Sequence, residues 1–277
     1  MRFLFLGDVM GRAGREAVES QLPGLRERLA LDAVVVNGEN AAHGFGITAK
    51  ICESFYAAGV DCITTGNHVW DQREITKYIG NDPRLLRPLN FPKDTPGRGH
   101  VVLETRSAGK LLVINPMARL FMEPLDNPFE AVDEVLKAYP LGRTVQAAIV
   151  DFHGEATSEK MAMGHFCDGR ASLVVGTHSH VPTADAQILP SGTAYQTDAG
   201  MCGDYDSVIG MKKERAVERF IRKIPGEKMS PASGPATLCG VFVDTDPASG
   251  LARRIEPIRL GGRLAQSSPA LDALAAE

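Results

Sequence analysis

The sequence contains no Cys-x-x-Cys pair. Its five cysteines, Cys52, Cys62, Cys167, Cys202 and Cys239, are odd in number and widely spaced. That argues against a disulfide framework and for reduced thiols packed as small apolar side chains in a cytoplasmic protein. An excess of positive charge is also missing. The formal net charge is -4, so there is no basic field for generic nucleic-acid binding and no basic stripe to hold a long polyanion. A small nucleotide or a few phosphates remain compatible with that charge if metals hold them. No apolar run is long enough to span a membrane. The N-terminal run ends at Gly7-Asp8, too short for a signal-peptide core and without a cleavage site. Internal repeats and dividing linkers are absent as well. The 277 residues are therefore expected to form a single domain over residues 1–264, with a C-terminal tail, 265–277, frayed or lightly docked.

What the chain does have is a pattern repeated five times, in which a short apolar stretch runs into residues that bind metals. The stretches end at Gly7-Asp8, Gly38-Glu39-Asn40, Gly66-Asn67-His68, Asp151-Phe152-His153 and Gly176-Thr177-His178-Ser179-His180. Apolar, β-branched runs ending at Gly read as buried strands of a mostly parallel sheet. In open α/β sheets, ligands sit beyond the carboxyl ends of the strands. Five strand ends delivering carboxylates, amides and imidazoles to one edge are the layout of a metal site, and of more than one metal.

Between these strands, helices are expected over residues 12–29 (with a break or restart at Pro23), 48–58 (capped by Thr48), 73–79, 130–139, 155–166 and 212–223. Hairpins are expected around Ser107-Ala108-Gly109, Pro190-Ser191-Gly192 and 246–250. Residues 81–99, rich in Pro, Gly and Asn, read as a long surface excursion. Alternating β and α gives way to hairpins in the second half. Two mixed β-sheets packed together with helices outside fit this better than a doubly wound fold.

The chemistry follows from residue types and spacing. In an extended segment residues two apart point the same way, so His178 and His180 are expected on one side, suited to two metals or to a metal and a substrate oxygen. Asn67 is a neutral oxygen ligand, and the adjacent His68 points elsewhere, toward substrate as an acid. Glu39 can bridge two ions with its two oxygens. Asp8 is either a ligand or a helix N-cap. His153 is the ligand of the fourth strand end, with Asp151 and Glu155 as acceptors that orient imidazoles; Thr157 or Ser158 are alternatives as caps for the following helix. His43 lies in a loop close to the site and is a substrate-contact candidate, whereas His100 and His165 read as structural or exposed. Gly11-Arg12-Ala13-Gly14-Arg15 lacks the Lys-Ser/Thr of a P-loop and the spacing of a dinucleotide fingerprint, which leaves Arg12 as a phosphate-contact candidate.

Taken together the motifs resemble the calcineurin-like metallophosphoesterases, with two departures. Met10 stands where that family's first His belongs, and Gly38-Glu39-Asn40 replaces its Gly-Asp block. Both departures, with Val69-Trp70-Asp71, Gly154-Glu155-Ala156-Thr157-Ser158-Glu159-Lys160, Val181-Pro182-Thr183-Ala184-Asp185 and Thr197-Asp198-Ala199-Gly200-Met201, are similar to the YmdB-type phosphodiesterases from residue 1 to about residue 260. The resemblance implies a four-layer α/β/β/α sandwich and two divalent or trivalent metal ions. One would take Asp8, Glu39, Asn40 and His180, and the other the bridging Glu39 with Asn67, His153 and His178. Asn40 replaces a nitrogen ligand by a harder oxygen, which favours Fe or Mn over Zn.

The resemblance further implies hydrolysis of phosphodiesters, above all 2′,3′-cyclic nucleotides, by a hydroxide bridging the metals, with His68 as general acid. A phosphomonoesterase, a metal-stabilised regulatory protein with little turnover and an amide hydrolase are the competing expectations. The expected partner is a small phosphate ester, with no long nucleic acid and no membrane; homo-oligomers are open through hairpin edge strands. Residues 40–47, 115–125 and 201–209 are the expected walls of the site.

Overall fold

Phe3 and Phe5 point to one side of the first strand, Leu4 and Leu6 to the other, and each pair enters a different core. This alternation, the period of a β-strand, sets the layering of the whole molecule. In the computed structural model, residues 1–106, 108–222 and 228–269 are described. The elements run β1 (Arg2–Leu6), β2 (Asp8–Val9), α1 (Gly11–Arg28), β3 (Ala33–Asn37), α2 (Ala49–Ala58), β4 (Cys62–Thr64), α3 (Ile75–Tyr78), β5 (His100–Glu104), β6 (Lys110–Ile114) and α4 (Pro128–Ala138). They continue with β7 (Ala147–His153), α5 (Thr157–Cys167), β8 (Leu173–Thr177), β9 (Gln187–Ile188), β10 (Ala194–Gln196), β11 (Met201–Asp204), α6 (Lys213–Arg222), β12 (Ala236–Thr245) and β13 (Ala252–Leu260).

Two mixed sheets result. The first has the order β2-β11-β12-β1-β3-β4, with β13 beside β12, and the second β5-β6-β7-β8-β10-β9. Phe3, Phe5 and Val35 from the first sheet share a core with Leu111, Val113, Ile149 and Val175 from the second. On the outer faces, Leu4 and Leu6 pack against Val18, Leu22 and Leu25 of α1, and Leu112 and Ile114 against Val132, Val135 and Leu136 of α4. Helix, sheet, sheet, helix is the expected four-layer α/β sandwich. The parallel character stops short of the whole first sheet, because β12 lies antiparallel to β1 and carries β13 antiparallel on its other side.

Several local expectations change. α1 runs through Pro23 without a break: Pro23 sits on the exposed face, while Leu22 and Leu25 stay buried and hold the apolar stripe together. Thr48 does cap α2, accepting from Ile51 N at 3.3 Å. Asp8 caps nothing, since Met10 is the N-cap position of α1 and Asp8 belongs to β2. Thr157 and Ser158 do not cap α5 either, whose N-cap is Ala156 without a side-chain bond. Residues 81–99 are not wholly superficial. Leu86 N donates to Ile63 O at 2.8 Å, and Leu85 and Leu86 are fully buried, so part of this segment extends the first sheet beyond β4.

The expected hairpins form at β5–β6, β9–β10 and β12–β13; Ser107 in the first turn and Lys223 at the end of the sixth helix lie outside the described residues. Of the expected tail, residues 265–269 are docked through Ser267, which exchanges backbone hydrogen bonds with Arg259 at 2.8 and 2.9 Å, and residues 270–277 lie outside the described residues.

Because Phe5 is fully buried between the sheets, Phe5→Ala is expected to lower the unfolding free energy by about 3–5 kcal/mol, read from urea titration. A loss below about 1 kcal/mol would mean the inter-sheet core collapses around the gap and does not set the layering.

Candidate metal centre

Strand register brings the candidate ligands to one edge. Leu6 is level with Val36 across β1 and β3, Asn37 with Thr64 across β3 and β4, and His153 with Thr177 across β7 and β8. The residues that follow each strand therefore leave at the same end. Two polar side chains stitch the sheets together there. Asn37 Nδ2 donates to Asp151 Oδ2 at 3.1 Å and to Thr177 Oγ1 at 3.4 Å. Asn115 Oδ1 accepts from Thr65 N at 2.9 Å, and its Nδ2 donates to Asp151 O at 3.4 Å. Space at this edge is limiting: a Cβ on Gly66 would lie 2.2 Å from His153 Nε2 and 2.5 Å from Glu39 Oε2.

The hydrogen bonds assign each imidazole. Thr177 Oγ1 donates to Asp151 Oδ1 at 2.7 Å, so it accepts from His153 Nδ1 at 2.9 Å. The His153 proton is thereby fixed on Nδ1, and Nε2 faces Asn67 Oδ1 at 2.9 Å and Glu39 Oε1 at 3.2 Å. Asp151 thus orients His153 through Thr177. His178 presents Nδ1 to His153 Nε2 at 3.2 Å and turns Nε2 to Glu155 Oε2 at 3.3 Å. His180 donates Nδ1 to Ile209 O at 2.8 Å and directs Nε2 toward Asp8 Oδ1 at 3.8 Å.

His178 and His180 do not share a side by strand alternation, as the sequence suggests. β8 ends at Thr177, and both histidines take left-handed backbone, φ 95° and 63°. The turn sends one ring to His153 and the other to Asp8. A fully buried ion pair braces it. Lys160 Nζ donates to Asp198 Oδ2 at 2.8 Å, and the same oxygen accepts from Ser179 N at 3.2 Å and Ser179 Oγ at 2.6 Å. Sequence reasoning assigns no site role to Lys160 or Asp198. A lysine followed by an apolar helix gives no local sign of burial.

The oxygens are arranged in the same way. Asp8 Oδ2 accepts from His178 N at 3.2 Å and Glu39 Oε2 from His68 N at 3.1 Å. Asn40 donates Nδ2 to Gly44 O at 3.1 Å, which fixes its amide with Oδ1 inward. The remaining oxygens, Asp8 Oδ1, Glu39 Oε1 and Asn40 Oδ1, are buried and accept no well-formed hydrogen bond. Buried acceptors without donors are costly. Imidazole nitrogens and buried oxygens converging in this way fit cations, and ligand atoms of Glu39, His153 and His178 all lie within 4.8 Å of one another.

Without metal, protons take up part of this role. Burial opposes charge on His153, but Glu39 and Asp8 outweigh it and hold its pKa up at about 9. Burial likewise opposes charge on Glu39, yet His153 brings it down to about 2. Asp8 is pushed up to about 6 by burial, against the pull of His180 and His153. His178 is lowered to about 3 by burial and by the neighbouring His153 charge.

His68 stands apart from these ligands. Its Nδ1 pairs with Asp71 Oδ2 at 2.8 Å and its ring meets Phe45 edge-on at 5.2 Å. Sequence reasoning misses Asp71 in that position, because the Val69-Trp70-Asp71 stretch carries no local mark of its role. The centre opens into a cavity of about 1050 Å³ whose lining includes Glu39, Asn40, His68, His178 and His180. Met10 packs with Met201 and Met211, and Met10 and Met211 line this cavity.

Of the expected walls, 40–47 contributes Asn40 and Phe45 and 201–209 contributes Ile209, whereas 115–125 is not part of the lining. A wall not anticipated from sequence comes from α6, with Arg215, Glu218, Arg219 and Phe220, together with Lys228 and Met229. Arg12 and His43 are both exposed and outside the lining. Arg12 instead lies 3.6 Å from Glu16, on the solvent side of a first turn whose Gly11 and Gly14 are buried, and a left-handed backbone at His43, φ 56°, turns that loop. His100 packs against Tyr139 and His165 is exposed.

A family model described as YmdB-like protein matches residues 4–258. A Bacillus subtilis protein named 2′,3′-cyclic-nucleotide 2′-phosphodiesterase is 47% identical over 259 residues, which cover 93% of this chain and 96% of that protein. A solved structure of a hypothetical protein from Thermus thermophilus superposes with a TM-score of 0.87 at 42% identity, covering 95% of this chain and 100% of its own. The solved structure of a Mycoplasma pneumoniae protein described as a novel phosphatase gives the same TM-score at 36% identity, covering 99% and 96%.

Since His153 holds a proton up to about pH 9, a cation entering beside Glu39 must displace it. Apparent metal affinity is expected to rise about tenfold per pH unit from pH 6.5 toward 9, with proton release on binding. Below about pH 6 the dependence steepens, as the Asp8 proton competes too. Titration of metal-free protein in buffers of different ionisation enthalpy measures the protons released; none at pH 7.5 would remove His153 from the ligand set.

Proposed function

The chain belongs to the YmdB-like protein family, and from that premise we propose that it is a metal-dependent phosphodiesterase that hydrolyses 2′,3′-cyclic nucleotides. One observation carries the reading: buried, donorless oxygens and imidazole nitrogens converge beside a cavity that is also lined by His68, whose Nδ1 pairs with Asp71. A regulatory scaffold has no use for that pair beside its metals. The name carried by the Bacillus subtilis relative supports the cyclic nucleotide as substrate.

In this reading Asp8, Asn40 and His180 would hold one ion, Asn67, His153 and His178 would hold the other, and Glu39 would serve both. When bound, the ions supply Lewis acidity for the phosphoryl oxygens and lower the pKa of water. The chain's own groups do the rest. Asp71 holds His68 Nδ1 and so presents Nε2 to the cavity, where it gives its proton to the alkoxide released from phosphorus. Glu155 and Thr177 keep the lone pairs of His178 and His153 turned inward. Met10, Met211 and Phe45 supply apolar wall beside these groups, which limits water around the proton donor.

Iron or manganese is the metal of this proposal, because Asn40 offers a hard oxygen. The five cysteines are all buried and unpaired, which supports a reducing compartment, the cytoplasm. No helix among the described residues is long and apolar enough to cross a membrane. Residues 1–264 acting as a single domain, and self-association through exposed hairpin edges, belong to the same reading.

The test is a panel of 2′,3′-cyclic nucleotides, linear diesters and monoesters, with Mn added and with chelator. Cyclic nucleotides are expected to be the best substrates, with Glu39→Gln inactive. His68→Ala should keep its metals and lose roughly 10²–10⁴-fold in kcat; full rate in that variant on a poor leaving group would overturn the acid role. Protein purified without added metal and fully active with zinc would overturn the metal assignment.

A further inference from the structure

We propose that the cavity contains a second phosphate subsite at Arg219 and Lys228, fitted to a 2′,3′-cyclic nucleotide that bears a further phosphate on its 5′ side. The inference rests on the diesterase reading above and names the substrate class within it.

Charge is unevenly spread over the molecule. The chain is acidic overall, at -4, yet the wall formed by α6 and Lys228 carries Arg215, Arg219 and Lys228. Glu218, the acidic residue of that wall, is already engaged by Arg215 and, at 3.3 Å, by Arg222. Among the described residues neither Arg219 nor Lys228 forms an ion pair. Two uncompensated cations thus border the cavity whose floor is the candidate metal centre. Cations gathered around a concave, low-dielectric space raise the local concentration of an anion. The scissile phosphate belongs at the metal floor, so these side chains are available to another anionic group. On a nucleotide that group is a second phosphate, which the fork of an arginine suits.

Size and surface point the same way. A volume of about 1050 Å³ stands at the upper end of the roughly 300–1000 Å³ that holds drug-sized ligands, leaving room beyond one cyclic phosphate and its ribose. The lining also presents aromatic faces. The Phe45 ring lies under the Lys228 ammonium at 5.9 Å, and Phe220 is 78% exposed. Flat apolar surface next to a cation suits a nucleobase joined to a phosphate. Two free cations beside the cavity suit one further phosphate, so the fitting ligands are a phosphorylated nucleotide or the 3′ end of a short RNA fragment.

The experiment compares kcat/KM for adenosine 2′,3′-cyclic phosphate, its 5′-phosphorylated form, and a dinucleotide ending in a 2′,3′-cyclic phosphate, all with Mn. The wild type is expected to prefer a substrate with the second phosphate by about tenfold or more, the scale of one charge-assisted hydrogen bond. The gain should appear in KM and shrink in high salt. In Arg219→Ala/Lys228→Ala the ratio is expected to fall to within about twofold of one, and Arg219→Glu should turn it below one. A gain on the 5′-monophosphate identifies a free nucleotide and a gain confined to the dinucleotide an RNA end; either supports the subsite. A wild-type ratio of one with both substrates, or a preference that survives the double variant, overturns it while leaving the diesterase reading intact. No turnover of any of the three overturns that reading and the subsite with it.

Discussion

Two carboxylates, Asp8 and Glu39, are carried into complete burial at one sheet edge, and much of the local structure answers the charge they bring. Buried charge without a partner is among the most costly features a fold can hold. His153 is placed against both, 3.2 Å from Glu39 and 4.0 Å from Asp8, and a raised pKa is the consequence of sitting there. One imidazolium does not complete the arrangement, because an oxygen on each of Asp8, Glu39 and Asn40 remains without a donor. The orphaned atoms are those that a cation would face, so the polar environment is incomplete in a way that specifies what completes it.

Holding such a cluster demands more than strand ends. The two histidines after β8 occupy left-handed backbone, where a non-glycine residue costs of order 1–3 kcal/mol. Ser179 between them is gripped at both its amide and its hydroxyl by Asp198, which is itself neutralised by Lys160. Asn37, Asn115, Asp151 and Thr177 perform the same service between the sheets. The centre is therefore built from inner groups that each keep one atom without a partner, Asp8 Oδ1, Glu39 Oε1 and Asn40 Oδ1, and from surrounding groups that pair with one another. That combination fixes geometry before any ligand arrives.

The inner groups were legible in the sequence and most of the surrounding ones were not. Asp8, Glu39, Asn67, His153, His178 and His180 each follow an apolar strand run, so periodicity alone brings them to one edge. The three hairpins and the four layers were legible for the same reason. Thr177 and Lys160 had no such mark, since their roles come from contacts between segments far apart in the chain. The left-handed turn at His178 and His180 was invisible because neither residue is a glycine, and extended alternation is the default without one. Arg12 and His43 were attractive by charge and position but face solvent; nearness in sequence to a ligand does not fix the direction of a side chain. α6 was recognised as a helix, but its part in the cavity depends on packing across the molecule.

That difference also divides chemistry from selectivity. The metal-side groups rise from strands whose residues are buried throughout, such as β3, β7 and β8. The opposite wall is a helix that buries Ala216 and leaves Val217, Phe220 and Ile221 largely exposed. An element with so little burial is easily changed without disturbing the core, because its side chains carry little of the folding free energy. The candidate ligands Asp8, Glu39, Asn40, His153 and His180 are tied more tightly, because each has a partner at hydrogen-bond distance. Under the proposed function, a buried floor would carry the reaction and a lightly packed, charged wall would meet the rest of the phosphate ester. On the proposed subsite, the substrate beyond its scissile bond would be met by α6 and Lys228, because these are the charged groups of the cavity that the buried floor does not supply.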